Sequence, residues 1–369
     1  MRVLLTIGTR PEAIKMAPVV RALQQHPAGF DVRVCLTGQH RELLDQVIRV
    51  FDLPVHHDLN LMRPNQTIHD VTAGVLLGMR DVLATEQPGL VLVHGDTTTT
   101  FAAALAAYYA RIPVGHVEAG LRTGRRYEPF PEEVNRQLAD TLSTHLYAAT
   151  EGARENLLRE GRADADIHIT GNTVIDALLE IAARPHTFSD PKLESLGNTR
   201  RLLLVTAHRR ESFGPPFASI CEALRTLADA NDDVELVYPV HPNPNVREVV
   251  NHLLADHPRI HLIDPLEYVP FVHLLKKSFL VLTDSGGIQE EAPSLNKPVL
   301  VMRDVTERPE AVASGAAQLV GTEAGRIVAA AQRLLDDPAA YQAAASANNP
   351  FGDGHAAERI AAHIASLAS

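Results

Sequence analysis

Thr283–Glu310 reads TDSGGIQEEAPSLNKPVLVMRDVTERPE. The apolar run Phe279–Leu282 just ahead of it has the form of a buried strand. Ser285-Gly286-Gly287 then opens a helix, whose first turn aims free backbone N–H groups and a positive dipole end at any anion. Glycine at 286 and 287 removes the Cβ atoms that would hold an oxygen-rich ligand off the backbone. Glu291, one helical turn further on, is placed to accept hydrogen bonds from two ribose hydroxyls. A second strand, Pro298–Met302, follows at once and delivers Arg308 on the next loop, a planar multi-donor cation fitted to a diphosphate. "SGG" alone reads equally as a loop-to-helix junction with an ordinary Ser cap; the whole string is far more specific.

Outward from this unit the same alternation of strand and helix fills the chain. Arg2–Ile7 is a strand, Gly8-Thr9-Arg10 a tight turn, and Pro11–His26 a helix opened by proline, where the missing N–H costs nothing. These glycines are neither GxGxxG nor GxxxxGK[ST], so dinucleotide and P-loop sites lose their sequence support. Further strands read at 31–36, 90–94, 113–117, 145–149 and 167–170, with helices at 41–51, 66–86, 97–111 and 132–143 between them. A polar insert spans 185–200, and strands resume at 202–206, 235–240, 260–263, 279–282 and 299–302. Strands alternating with helices imply parallel sheets covered on both faces. The expectation is an α/β protein of two Rossmann-like domains, 1–170 and 171–352, crossing at Thr170-Gly171-Asn172-Thr173. Ligand crevices in such sheets lie beyond the carboxyl ends of the strands, which puts the expected site in a cleft that the two halves face.

The totals agree with two domains of ordinary size in 369 residues. A net charge of −11 without a basic run argues against nucleic acid and anionic membranes, so an anionic ligand must rely on a few local cations. Lysine stands only at 15, 192, 276, 277 and 297, which makes Lys15 conspicuous in the first half. The two cysteines, Cys35 and Cys221, form neither a disulfide framework nor a zinc motif and fit a reducing cytoplasm. The N-terminal apolar run is too short for a signal peptide core, and no stretch approaches a membrane span.

Three acids of the first half sit where catalytic groups would: Asp96 in VHGDTTTT, Glu118 in PVGHVEAGLRTG and Glu132 in PFPEEVNRQ. Each has a plainer role open to it. Asp96 can cap the following helix, Glu118 can pair with Arg122, and Glu132 with Glu133 can favour a helix N-terminus. In the second half, His208 in VTAHRRESFG follows a strand and can act as acid or base near neutrality.

Taken together, the Thr283–Glu310 string and further blocks from Arg10 to the C-terminus closely resemble the bacterial non-hydrolysing UDP-N-acetylglucosamine 2-epimerases. The resemblance implies the two-Rossmann-domain fold called GT-B, with a C-terminal helix, 353–369, packing back on the first domain. It implies catalytic roles for Asp96, Glu118, Glu132 and His208. It places Arg10, Lys15, His241, Ser285, Gly286, Gly287, Glu291 and Arg308 around the UDP diphosphate and ribose, and main-chain groups at Phe271 against the uracil. Leu266 departs from the Gln of some relatives. The resemblance also implies a homodimer and a second, regulatory UDP-GlcNAc pocket that would include Gln39, His40, Gln66 and Arg209.

The implied chemistry is interconversion of UDP-GlcNAc and UDP-ManNAc. No carbonyl acidifies C2, so its proton can leave only if the charge has an exit, which the UDP group at C1 supplies. Loss of UDP leaves neutral 2-acetamidoglucal, and reprotonation of C2 on the other face with return of UDP gives the epimer. Arg10, Lys15 and Arg308 would stabilise charge growing on the leaving diphosphate. Nothing in this scheme calls for NAD or a metal, and the scattered histidines lack chelating spacing. Other readings are a UDP-sugar glycosyltransferase of the same architecture, a sugar-nucleotide sensor without catalysis, and a hydrolysing relative that releases free N-acetylmannosamine.

Overall fold

The computed structural model describes residues 1–38 and 41–368, with side chains at all of these except 41–43. Packing divides the chain into two compact units, Met1–Ala177 with Phe351–Ser369, and Leu178–Pro350.

The first unit is built on a seven-stranded parallel sheet of β1 (Arg2–Ile7), β2 (Asp31–Leu36), β3 (His57–Asp58), β4 (Leu90–His94), β5 (Val114–Ala119), β6 (His145–Ala148) and β7 (Ile167–Ile169), in the order β3-β2-β1-β4-β5-β6-β7. The central strands are near-continuous apolar runs because helices cover both faces. Val3, Leu4, Leu5 and Ile7 of β1 and Val91, Leu92 and Val93 of β4 are wholly out of solvent. The Arg10–Gln25 helix starts on a capping box, in which Thr9 caps Glu12 N–H while the Glu12 carboxylate accepts from Gly8 N–H at 2.6 Å and Thr9 N–H at 2.8 Å. Gly8 is obligatory at this turn, since a Cβ there would lie 2.3 Å from the Thr99 hydroxyl and 2.8 Å from that of Thr37. The last helix, Ala356–Leu367, packs on Arg10–Gln25, and the Asp176 carboxylate caps its first amides, Ala356 at 3.3 Å and Ala357 at 2.8 Å.

The second unit carries a six-stranded parallel sheet of β8 (Arg201–Thr206), β9 (Val234–Pro239), β10 (Ile260–Ile263), β11 (Leu280–Thr283), β12 (Val299–Val301) and β13 (Ala317–Leu319), ordered β10-β9-β8-β11-β12-β13. Its core joins Leu203, Val205, Phe217, Leu224, Leu236 and Leu282 from strands and the flanking Pro215–Ala230 helix. Two Rossmann-like parallel sheets of this kind are those of a GT-B-type chain.

Strand order reverses between β1 and β4 in one sheet and between β8 and β11 in the other. Helices leave opposite faces at such a point, and the loops after the two strands part to leave a crevice. The loops concerned are Gly8-Thr9 and Gly95-Asp96 in the first unit, and Ala207-His208-Arg209 and Asp284-Ser285 in the second. Within the polar 185–200 segment a short helix, Pro191–Ser195, forms on an Asp190 cap.

Candidate active site

In the first unit the carboxylates converge on two cations. Glu118 lies near the end of β5 at a register shift between Val117 and Ala119, with φ at +65°. A left-handed glutamate costs about 1–3 kcal/mol and persists only where its surroundings over-determine it. Here they do. Arg136, buried on the Glu132–Leu142 helix, donates to the Glu118 carbonyl and to the Asp96 carboxylate, and its guanidinium lies 3.5 Å from Glu118 Oε2. Lys15 Nζ pairs with Glu118 Oε1, which also accepts from Asn172 Nδ2 at 3.0 Å. Burial alone would raise the Glu118 carboxyl; the charges of Lys15 and Arg136 and the Lys15 hydrogen bond outweigh it and hold the group well below the usual range. Glu118 is therefore a fixed anion.

Glu132 differs. Half-buried at the start of its helix, it has its carboxyl pushed upward by desolvation and by the Asp96 charge, and its buried Oε2 has no hydrogen-bond partner among the described residues. A carboxyl that holds a proton more readily than its neighbours, with an unused oxygen, is suited to carrying one. Glu133 beside it is structural, accepting from Thr123 N–H at 3.0 Å and Gly124 N–H at 3.1 Å.

The plainer roles fail for two of these acids. Thr97, not Asp96, caps the Thr98–Tyr109 helix. Arg122 pairs with Asp140 and Glu160, each at 2.6 Å, rather than with Glu118. His116 donates from Nε2 to the Gly95 carbonyl at 2.7 Å, and its Nδ1 lies 2.6 Å from Asp140 Oδ1, which ties β5 to the loop bearing Asp96. Glu132 does stand in the first turn of its helix, as the plainer reading has it, with no side-chain cap at Pro131.

Four residues in these networks escape a reading by motif: His94, Arg136, Asn172 and Asp284. His94 ends β4 with 4% exposure, its Nε2 3.9 Å from Glu118 Oε2 and neither ring nitrogen hydrogen-bonded among the described residues. Burial lowers its pKa to about 3, Lys15 and Arg136 adding to the effect against the pull of Glu118, so the ring is neutral. A histidine in VLVHGD at a strand end was the one available signal.

In the second unit Asp284, fully buried after β11, organises the loop after β8. Its Oδ2 accepts from His208 N–H at 2.6 Å and Arg209 N–H at 2.7 Å, while His208 Nδ1 lies 3.5 Å from Oδ1. The His208 and His241 rings stack at 5.2 Å and 8°. Desolvation lowers the His208 pKa, with Asp284 opposing and His241 and Arg209 reinforcing, so His208 is neutral near pH 7.

Ser285 precedes the Gly286–Glu291 helix without a side-chain cap, so its hydroxyl leaves the first amides uncovered. The bare Cα of Gly286 faces two guanidiniums: a Cβ there would lie 3.8 Å from Arg209 Nη2 and 3.9 Å from Arg308 Cζ. At Gly287 the same construction meets Glu291 Oε1 at 3.7 Å and Ser285 Oγ at 3.9 Å. Arg308 is aimed by buried Glu290, which accepts from its Nε. Ser285, Gly286, Gly287, Glu291, Arg308 and Arg209 thus come together, and His208 with His241. Phe271 sits in the first turn of the Tyr268–Lys277 helix, where its N–H is already given to the Glu267 carbonyl at 3.0 Å. Leu266 lies just ahead of that helix.

Arg10 opens the Arg10–Gln25 helix that also carries Lys15. Gln66 closes its own loop, donating to the Leu61 carbonyl at 2.6 Å and accepting from Arg63 N–H at 2.9 Å. Gln39 and His40 lie outside the described residues.

The family model for UDP-N-acetylglucosamine 2-epimerase matches residues 21–365. Over 368 residues the chain is 55% identical to the UDP-N-acetylglucosamine 2-epimerase of Escherichia coli (strain K12), covering 98% of this chain and 97% of that one. It superposes on the UDP-GlcNAc 2-epimerase of Neisseria meningitidis bound to UDP-GlcNAc with a TM-score of 0.88 at 47% identity, covering 99% of this chain and 100% of that one. For S. aureus MnaA in a UDP co-structure the TM-score is 0.89 at 45% identity, with 100% and 96% covered. With matches that run nearly end to end, the chain belongs to the UDP-N-acetylglucosamine 2-epimerase family.

Proposed function

We propose that this protein is a non-hydrolysing UDP-GlcNAc 2-epimerase that interconverts UDP-GlcNAc and UDP-ManNAc by loss and return of UDP through 2-acetamidoglucal. The observation that carries the reaction is the 55% identity, over nearly the full length, with a UDP-N-acetylglucosamine 2-epimerase; the arrangement of groups supports the route. Proton transfer at C2 needs a group free to take up and release a proton. Glu132, with its raised carboxyl and unused Oε2, and neutral His208 are the groups so disposed. Glu118 and Asp96, tied to Lys15 and Arg136, act instead as fixed charge around the reacting ring.

The nucleotide falls to Ser285, Gly286, Gly287 and Arg308 for the diphosphate and to Glu291 for the ribose, with Arg10, Lys15 and His241 as further contacts and the backbone about Phe271 for the base. Charge on departing UDP is stabilised by cations already held in place, so little reorganisation accompanies C1–O cleavage. The protein works in the cytoplasm as a homodimer, and UDP-GlcNAc regulates it by favouring a more active state. Among the described residues no helix is long and apolar enough to cross a membrane.

The test is incubation of purified protein with UDP-GlcNAc in D2O, followed by proton NMR. UDP-ManNAc should appear with deuterium at C2, and prolonged incubation should release UDP and 2-acetamidoglucal. Retention of the C2 hydrogen, or product only when a sugar acceptor is added, would overturn this reading. Glu132→Gln and His208→Asn should each lower turnover by roughly 10²-fold or more with the fold intact.

A further inference from the structure

The register of β6 and β7 produces a feature that the epimerisation does not use. Tyr147 pairs with His168 across these strands, and His145 stands two residues before Tyr147, so all three side chains leave the same face of the sheet. His363, from the Ala356–Leu367 helix, lies against that face. Its ring centroid is 3.6 Å from that of His168 and 5.2 Å from that of His145. One ring nitrogen from each histidine falls within 4.8 Å of the others.

We propose that His145, His168 and His363 form a binding site for a divalent transition-metal ion of the zinc class, which fastens the C-terminal helix to the sheet.

The geometry agrees with what such an ion requires. Tyr147 Oη lies 3.0 Å from His363 Nδ1. When Nδ1 carries the proton and donates to the phenol oxygen, Nε2 keeps its lone pair for a ligand, and the ring orientation is fixed as it commonly is for metal-bound histidine. His168 Nε2 is a buried nitrogen without a hydrogen-bond partner among the described residues, which leaves a lone pair or N–H unused. Desolvation lowers the pKa of all three rings, that of His363 to about 4, so they are neutral ligands rather than cations at pH 7. The Asp166 carboxylate acts on His145 and His168 and adds negative charge near the cluster.

Three neutral imidazoles select Zn²⁺, Co²⁺, Ni²⁺ or Cu²⁺ over Mg²⁺ and Ca²⁺, which prefer oxygen. Zinc–nitrogen bonds of about 2.0–2.1 Å place tetrahedral ligand atoms roughly 3.3 Å apart, so small ring rotations close the cluster on an ion. His168 and His363 also line a cavity of about 490 Å³ that supplies a route for the ion and a water as fourth ligand. The arginines of that cavity are neutralised locally, Arg154 by Asp164 at 2.7 Å and Arg359 by Asp353 at 2.7 Å. By register His145 is level with Gly115, three residues short of Glu118 and one strand over, so the cluster is separate from the carboxylate site.

Tag-free protein, stripped with chelator, is titrated with Co²⁺ followed by visible absorption, then with Zn²⁺ in competition. One ion per chain should bind with the spectrum of a four-coordinate nitrogen-rich site. His145→Ala, His168→Ala and His363→Ala should each weaken it at least about 100-fold, and Tyr147→Phe by about 10–100-fold. Zn²⁺ should raise the Tm of the parent protein and slow hydrogen exchange in 356–367, a readout that needs no variant. Absence of a saturable Co²⁺ spectrum up to millimolar metal, or binding that all three folded alanine variants retain, overturns the proposal.

Discussion

The two units arrange their polar groups in opposite ways. In the first, Lys15, Glu118, Arg136 and Asp96 are paired with one another and largely buried, Glu118 at 6% exposure and Arg136 at 7%. In the second, the buried Asp284 carboxylate orders backbone amides, and the loop it organises faces outward, with the His208 side chain 41% exposed. A buried charge is costly to leave alone, whereas an exposed one is screened by water. Substitutions among these paired groups of the first unit should therefore disturb stability as well as turnover. Those at the outward groups of the second should disturb binding or turnover and leave stability nearly unchanged.

The largest effect tests this directly. Arg136→Met leaves Asp96 and Glu118 without their shared cation and takes a donor from the Glu118 carbonyl. Breaking a buried pair in this way costs about 3–5 kcal/mol, read as a lower midpoint in urea denaturation. His208→Asn, 41% exposed in the second unit, should cost clearly less. Equal losses would remove the contrast between the units.

Next comes His94, the buried neutral ring of the first unit. In the unfolded chain it takes up a proton below its ordinary 6.5, but in the folded chain only near 3. Its contribution to stability is thus complete above pH 6.5 and declines as pH falls toward 3, by on the order of 1 kcal/mol per pH unit. Subtracting the pH–stability curve of His94→Gln from that of the parent should isolate this slope, since other histidines titrate alike in both. A difference curve flat between pH 6.5 and 4 would mean that the ring is reached by solvent.

These residues also mark where the sequence was legible. Strand–helix alternation is a local signal, and the buried runs of β1, β4, β8 and β11 carry it plainly. β3, which is His57-Asp58, and β13, which is Ala317-Gln318-Leu319, do not, because neither displays an apolar run. Gly286 and Gly287 are readable since the role proposed for them lies in the local backbone. Arg136 is not. In EEVNRQLAD it reads as one more solvated helix residue, and only tertiary packing carries its guanidinium 40 positions back to Asp96. Asn172, seen in the sequence as part of a crossing point, reaches Glu118 across 54 positions.

A smaller effect separates two cations with the same expected ligand. Arg308 is aimed by Glu290, Lys15 by Glu118. Removing either should weaken UDP by about 1.5–3 kcal/mol, or roughly 10- to 150-fold in Kd, measured by calorimetry. Lys15→Ala should in addition lower turnover at saturating substrate, because it frees the Glu118 carboxyl to rise. Arg308→Ala should leave that turnover closer to the parent's. Unchanged UDP affinity in both variants would move the diphosphate elsewhere.

The smallest effect concerns Gln66, whose amide bridges the Leu61 carbonyl and Arg63 N–H and so holds the loop before the Ile68–Glu86 helix. If that loop takes part in regulation by UDP-GlcNAc, the ligand must bind one state of it better than another, and a coupling of about 1–3 kcal/mol would change apparent affinity roughly 5- to 150-fold. Gln66→Ala removes both loop hydrogen bonds, each contributing on the order of 1 kcal/mol. Rate against UDP-GlcNAc concentration should then turn from sigmoidal toward hyperbolic, while UDP binds almost as before. In the parent, conversion of pure UDP-ManNAc should start slowly and quicken on addition of a little UDP-GlcNAc. A hyperbolic parent with no lag would leave Gln66 the loop-closing role its hydrogen bonds already show, and would confine regulation to no part of this segment.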